Sequence, residues 1–384
     1  MRFSGFDDEW KTYKLKDLLH NKSSSISINQ LDDNVGNYPL YGASGFLKCI
    51  DFYEMDSDYI SIVKDGSGVG NISFHEKNTS VVNTSQYILP KENLNIHFIF
   101  YLLQTINLNK YKTGSTIPHI YFKDYSIEKV KIPKYDEQKK IGILLKNLDA
   151  KIEILDNKLQ MCQNFKKYLM QQIFTQKLRF DFDDEWEFKK LGDISVVKDG
   201  THDSPKHVDN GYPLITSKNL IGNGLDFENV NYISNEDYDI INKRSNVDKG
   251  DILFGMIGTI GNPVIVETDD FAIKNVALIK EKTELLNNFL IYVLNTDLIR
   301  KQFYRLNAGG TQKFIALGLI KELSVPVPSI KEQKEISEFL SLVDNNLDNY
   351  RKQLHEINTF KKGLLQQMFV VQLILSLLQN KKHI

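Results

Sequence analysis

Cysteine is nearly absent: only Cys49 and Cys162 occur in 384 residues. Two distant cysteines make neither a disulfide framework nor a clustered zinc site, and they suit a reducing cytoplasm. An excess of one charge sign is also missing, with 48 Lys and Arg against 49 Asp and Glu, a formal net charge of −1. A chain that coats nucleic acid or an anionic membrane by bulk electrostatics carries surplus Lys and Arg, so any nucleic-acid binding here must be local. Long apolar runs are lacking as well. The strongest, Val370 to Leu378, is broken by Gln372 and Ser376 and falls far short of the roughly 20 residues of a membrane span. The opening MRFSGFDDEW has no apolar core of a secretory signal, which predicts a soluble chain with no membrane partner.

Catalytic strings are missing too. No G-x-x-x-x-G-K-[ST] phosphate loop occurs, and GSGVG at Gly66 to Gly70 reads as a hairpin turn. Asn262-Pro263-Val264 lacks the second proline and the aromatic of an amino-methyltransferase motif. The eight histidines are scattered without ligand spacing, and His202 and His207 sit in a polar loop, as surface residues do. With no catalytic constellation and no metal set, the chain reads as a binding and scaffolding protein.

What the chain does contain, it contains twice. FDDEW at Phe6 to Trp10 recurs at Phe182 to Trp186, and these strings hold both tryptophans. Each continues into KL-x-D, at Lys14 and at Lys190, and each is followed by YPL, at Tyr38 and at Tyr212. A Gly-Asn turn then repeats, GVGN at Gly68 to Asn71 and TIGN at Thr259 to Asn262. From Gly114 the register locks: GSTIPHI lies over GGTQKFI at Gly309, and KIPKYDEQKKI at Lys131 to Ile141 lies over the segment ending at Ile336. FKK and QQ follow in both copies, at Phe165 and Gln171 and at Phe360 and Gln366. A repeat of this kind dictates a tandem duplication.

Each copy has two parts. The front portions are rich in short apolar runs bounded by turn residues, a mixed pattern of strands and a few helices. The back portions carry apolar residues at alternating spacings of four and three. One row is Ile141, Leu145, Leu148, Ile152, Leu155, Leu159, Cys162, Leu169 and Ile173. The other is Ile336, Leu340, Val343, Leu347, Tyr350, Leu354, Ile357, Leu364 and Met368. Lys166 and Lys361 fill the one vacant seam place in each. These heptads predict two long helices, pairing antiparallel as a coiled coil because a globular portion lies between them. Pro133 and Pro328 end the front portions, and Ser329 with Glu332 predicts a capping box. Some forty residues at about 1.5 Å each give a rod of roughly 60 Å, a spacer of somewhat under two turns of B-DNA at about 34 to 36 Å per turn.

Charge distribution carries the functional signal. From Asn93 to Lys123 there is no Asp or Glu, while Lys110, Lys112, His119 and Lys123 interleave with Tyr111 and Tyr121. From Leu298 to Lys321 the same holds, with Arg300, Lys301, Arg305 and Lys313 near Tyr304 and Phe314. Both stretches lead through small polar loops, which contribute Ser115, Thr116, Thr311 and Gln312. Such groups suit phosphate contact. Polar loops supply residue types that read base edges: Ser85, His202, Lys206, Ser217, Lys218 and Asn219. Lys64, Asn71, Asn262 and Lys274 complete the candidate set.

The series FDDEW-x(3)-KL-x-D, YPL, the Gly-Asn turn, G-[SG]-T-x(3)-I, P-x(3)-EQ-K-x-I and F-K-K-x-L-x-QQ-[IM]-F, met twice in order, closely resembles the specificity subunit of type I restriction-modification systems. The resemblance covers nearly the whole chain. It implies an α+β protein with two tandem mixed target recognition domains, 1–133 and 178–328, separated by a central helical spacer, 134–177, and a distal helical spacer plus C-terminal tail, 329–384, the two long antiparallel helices forming a coiled coil with pseudo-twofold repeat. It implies a non-catalytic chain that reads a split, asymmetric sequence on double-stranded DNA. Two methyltransferase subunits dock on the helices, by the same resemblance, and bring S-adenosylmethionine; restriction subunits add ATP- and Mg-dependent translocation and cleavage. VVQLILSLLQNKKHI after Phe369 extends beyond where such chains commonly stop. The competing reading is a two-headed coiled-coil scaffold that binds proteins and no DNA; a nuclease or methyltransferase acting alone is weaker still.

Overall fold

The computed structural model describes residues 2–31, 34–222, 224–258, 260–306 and 314–370. The chain divides into two compact units, Met1–Asn157 with Tyr350–Ile384, and Lys158–Asn349. Each unit combines one globular head with part of each long helix. Among the described residues no helix is long and apolar enough to cross a membrane.

In the first unit a four-stranded antiparallel sheet runs Leu19–Ser23, Ser85–Pro90, Tyr59–Val63, Ile72–His75. Tyr59–Val63 is buried at all five positions, as a β-branched run flanked by neighbours on both edges should be. Tyr38–Gly42 and Gly45–Ile50 form a hairpin, with Ser80–Val81 added in parallel. Lys11–Lys14 pairs antiparallel with Lys129–Ile132, joining the two ends of the head. Helix Ile96–Gln104 is capped by the Asn95 side chain, which accepts from the Phe98 amide.

The second unit repeats this plan. Val196–Asp199, Val276–Lys280, Ile252–Gly255 and Gly261–Ile265 form its four-stranded sheet in the matching order. Tyr212–Ile215 pairs antiparallel with Asn231–Ile233 and in parallel with Ala272–Ile273. Glu187–Lys190 pairs with Ser324–Val327. The GSGVG segment is the connection between Tyr59–Val63 and Ile72–His75, with Gly66 and Gly70 at positive φ, the turn its composition predicts.

The long helices span Tyr135–Phe174 and Ile330–Leu365. In the first unit the start of one packs with the end of the other: Ile141, Leu145, Leu364 and Met368 share a core with Trp10 and Phe98. In the second unit the ends are exchanged, and Leu169, Ile173, Ile336, Leu340 and Val343 share a core with Trp186 and Phe289. That is antiparallel pairing within each unit. Of the other seam residues, Leu155 and Leu347 are buried, and Leu148, Ile152, Leu159, Tyr350 and Leu354 are half-buried.

The capping box needs correction. The Glu332 amide does meet Ser329 Oγ at 3.4 Å, but the Glu332 carboxylate does not turn back to the cap. It takes two bonds from Arg179, at 3.1 and 2.9 Å, and one from Trp186 Nε1 at 3.0 Å. A fully buried carboxylate needs charged donors more than a helix end needs a second cap. The first unit repeats the fork, Arg2 to Glu137 at 2.9 and 2.7 Å. Trp10 Nε1, however, has no partner among the described residues.

Candidate nucleic-acid interface

In the first head two loops meet. The Pro118 carbonyl accepts from the Gly66 amide at 3.0 Å, and the Lys64 carbonyl from the Ile120 amide at 2.9 Å. Thr113 and His119 close the second loop by exchanging backbone bonds of 2.9 and 2.7 Å. Gly114 makes that closure possible: its φ is +86°, and a Cβ there would lie 2.4 Å from the Ile117 carbonyl oxygen. The loop presents exposed Ser115 and Thr116. Lys112 beside it is also exposed and makes no ion pair among the described residues. Lys123 stands 5.5 Å over the Tyr121 ring, which stacks near His119.

The stretch without carboxylates in sequence is not without them in space. Asp65 reaches His119 Nδ1 at 2.7 Å and Lys64 Nζ at 2.5 Å. Burial works against the Asp65 charge, but these two bonds outweigh it and hold its pKa below the usual value. Glu128 pairs with Lys110 and accepts from Tyr111 Oη, and the bond from Lys110 to Glu128 raises the Lys110 pKa. A sequence window cannot see this, because the carboxylates arrive from neighbouring strands. Among the described residues of this stretch Lys112 and Lys123 thus make no ion pair, whereas Lys110 and the neighbouring Lys64 are paired with carboxylates. Asn71 is exposed at its turn, whereas Ser85 is buried in its strand.

In the second head the organising group is Asp199, a residue the sequence reading did not select. Its carboxylate accepts from Arg244 and from His202 Nε2 at 2.9 Å, and His202 Nδ1 meets Asn275 Oδ1 at 2.8 Å. Both ring nitrogens thus face acceptors, and the Asn275 bond, then Asp199, raise the His202 pKa. Asn275 holds φ at +54°, so its side chain is aimed by an unusual backbone. Lys274 donates to Ser204 Oγ at 2.7 Å. A cavity of about 250 Å³ lies here, lined by Asp199, His202, Asn275, Met256, Ile257 and Phe314 to Leu317.

Two of the selected second-head residues hold the fold. Ser217 is buried and bridges the Asn275 carbonyl to the Met256 amide, at 3.2 Å each. Asn219 is buried and ties Thr216 to the Asp226 and Asn229 carbonyls. Lys206, Lys218, Asn262 and Arg305 are exposed. Thr311, Gln312 and Lys313 lie outside the described residues. No sequence signal singled out Asp199 or Arg244, since each is an ordinary charged residue until strand and helix bring them together.

Backbone bonds match between heads while side chains differ. The Ile315 amide donates to the Met256 carbonyl at 2.8 Å, the counterpart of Ile120 to Lys64, yet Phe314 stands where the first head has His119. Twin heads of one topology, differently surfaced and mounted on paired helices, define a two-module recognition protein without a catalytic constellation among its described residues.

Comparison with known proteins agrees. The model of the type I restriction modification DNA specificity domain matches twice, over residues 7–162 and 183–359, and the chain belongs to that family. It is 23% identical to the type I restriction enzyme MjaVIII specificity subunit of Methanocaldococcus jannaschii, over 93% of this chain and 91% of that protein. It is 26% identical to the type I restriction enzyme EcoDI specificity subunit of Escherichia coli, over 46% and 40%. Its fold matches the S subunit of a type I restriction-modification system from M. genitalium, with a TM-score of 0.71 at 19% identity, covering 96% and 97% of the two chains. A chain from a type I restriction-modification system whose assembly and conformational transition were studied matches with a TM-score of 0.52 at 13% identity, covering 95% and 98%. The expectations of tandem mixed α+β domains with long paired helices, and of a non-catalytic DNA-recognition subunit, agree with these findings.

Proposed function

We propose that this chain reads a bipartite, asymmetric target on double-stranded DNA, one half-site per head, with 1–133 and 178–328 as target recognition domains, 134–177 as the central helical spacer and 329–384 as the distal helical spacer plus C-terminal tail. The observation that carries this is the matched backbone with unmatched surface: the bonds from Ile120 to Lys64 and from Ile315 to Met256 coincide, while the neighbouring side chains differ. Identical scaffolds with different reading groups read different sequences. Phosphate contacts come from Lys112, Ser115 and Thr116 in the first head and from Lys206, Lys218 and Arg305 in the second. Lys64, Asn71, Lys110, His119, His202, Asn262 and Lys274 border them.

The helices are the docking surface for two methyltransferase subunits. Ile143, Ile154, Met161, Phe165 and Tyr168 remain about half exposed or more along the first, and Leu342 and Phe360 along the second. Phe165 and Phe360 are repeat equivalents. Apolar rows of this kind mark interaction surfaces. Those subunits supply S-adenosylmethionine, and restriction subunits supply ATP- and Mg-dependent cleavage, in the cytoplasm. The test is methylation mapping of the host genome with and without this chain. One motif of two different halves separated by a fixed gap is expected; a single contiguous motif overturns the reading.

A further inference from the structure

The hairpin Tyr38–Gly42/Gly45–Ile50 is anchored by buried Leu40 and Ile50, yet its tip turns large apolar groups outward. Phe46 is 61% exposed and Leu47 40%. Phe46 pairs across from Tyr41, whose ring it meets edge-on at 6.1 Å between centroids. The tip is short and fixed, since Gly42 pairs with Gly45 and Gly45 has a φ of +113°. Phe46 and Leu47, adjacent on one tip, make a small contiguous apolar surface of the kind that marks a contact site.

What lies next to the tip decides what covers it. A Cβ on Gly68 would lie 3.0 Å from that of Ala43, at the hairpin turn. A Cβ on Gly70, at the other side of the same connection, would lie 3.6 Å from Lys112 Cε. Hairpin tip, Gly-Asn turn and Lys112 are thus contiguous. Gly42 to Lys48 contains no carboxylate, and Asp65 nearby is occupied by Lys64 and His119. In the second head, on a different strand pair, Asn262 Nδ2 donates to the Leu220 carbonyl at 3.4 Å, and Ile221 beside it is 52% exposed, so an exposed apolar residue also lies next to that Gly-Asn turn.

We propose that Phe46 is a specificity-determining residue that reads a thymine C5-methyl group in the major groove of the half-site read by the first head. This rests on the DNA-recognition reading above. A two-stranded ribbon fits the major groove, and the methyl is the apolar feature that distinguishes thymine there. The adjacent cation places the phosphate backbone at the side of the ribbon.

The experiment uses the chain assembled with its methyltransferase partner and duplexes carrying its mapped motif. Each thymine is replaced in turn by deoxyuridine, which removes only the methyl. At one thymine the wild-type complex should lose affinity about fourfold, the factor that burying one methylene's worth of surface is worth. F46A should bind both duplexes alike, and F46L, which keeps an aliphatic contact, should keep part of the discrimination. A motif with no A·T pair, a wild type indifferent to every replacement, or an F46A complex that still discriminates overturns the proposal. An F46A chain that no longer assembles makes the tip a protein-docking surface and also overturns it. A wild-type complex with no sequence-dependent binding defeats the functional reading itself, and this proposal with it.

Discussion

Lys166 on the first long helix bonds Asp344 on the second at 2.5 Å, and Lys361 and Asp149 make the same pair at the repeat-equivalent place. In both, the aspartate also accepts a tyrosine hydroxyl from the head, Tyr292 at 3.0 Å and Tyr101 at 2.6 Å. The lysine lies over that tyrosine's ring, at 5.5 and 5.4 Å. The lysines that interrupt each heptad seam are therefore half of an ion pair that fixes register between the helices and ties them to the head, as single polar seam residues do.

Asp344→Leu should destabilise the chain by about 2 kcal/mol, below the 3–5 kcal/mol of a fully buried broken pair because both groups keep some solvent. Lys166→Met with Asp344→Leu should recover much of the loss. Denaturant titration of the double-mutant cycle checks this; additive losses would show that the two groups do not interact.

Trp186 donates to Glu332 while the equivalent Trp10 finds no partner among the described residues. Trp186→Phe should therefore cost about 1.5–3 kcal/mol more than Trp10→Phe, the net worth of one hydrogen bond to a charged group. Comparing the two midpoints under one denaturant decides it.

Two histidines set opposite pH responses. Burial lowers the His75 pKa to about 4, so the unfolded chain binds the proton more readily and stability should fall as pH drops from about 6.5 toward 4, by on the order of 3 kcal/mol. His202 is raised. Its contribution is complete below about 6.5 and fades as pH climbs through the higher folded value. His75→Asn should flatten the acid side and His202→Gln the other, read from stability against pH.

Lys112→Ala should weaken DNA binding by the assembled complex and reduce the slope of log affinity against log salt by about one, evenly across sequences. Lys110→Ala should change that slope less, because Glu128 already holds its charge. Equal slopes for the two variants would contradict the pairing.

Gly114→Ala forces a side chain into a left-handed position against the Ile117 carbonyl, a strain of about 1–3 kcal/mol. Recognition of the first half-site should suffer while the second is read normally, visible in methylation of duplexes mutated in either half.

The duplication, the two long helices and the family were legible in the sequence, because repeats and heptads are local patterns repeated along the chain. Lys166 and Lys361 were visible as vacancies, but not their partners: Asp344 and Asp149 lie on the opposite helix, far away in sequence. Ser85, Ser217 and Asn219 looked like reading groups because their residue types suit bases, and burial turned them to holding the fold. Motifs and spacing by themselves determined that this is a tandem duplication carrying two long helices and the motif series of its family. Only the tertiary structure decided which cations stay free, that Asp199 organises the second head, and that Phe46 stands exposed beside Lys112. Charge and burial are properties of neighbours in space, and strand pairing, not sequence order, chooses those neighbours.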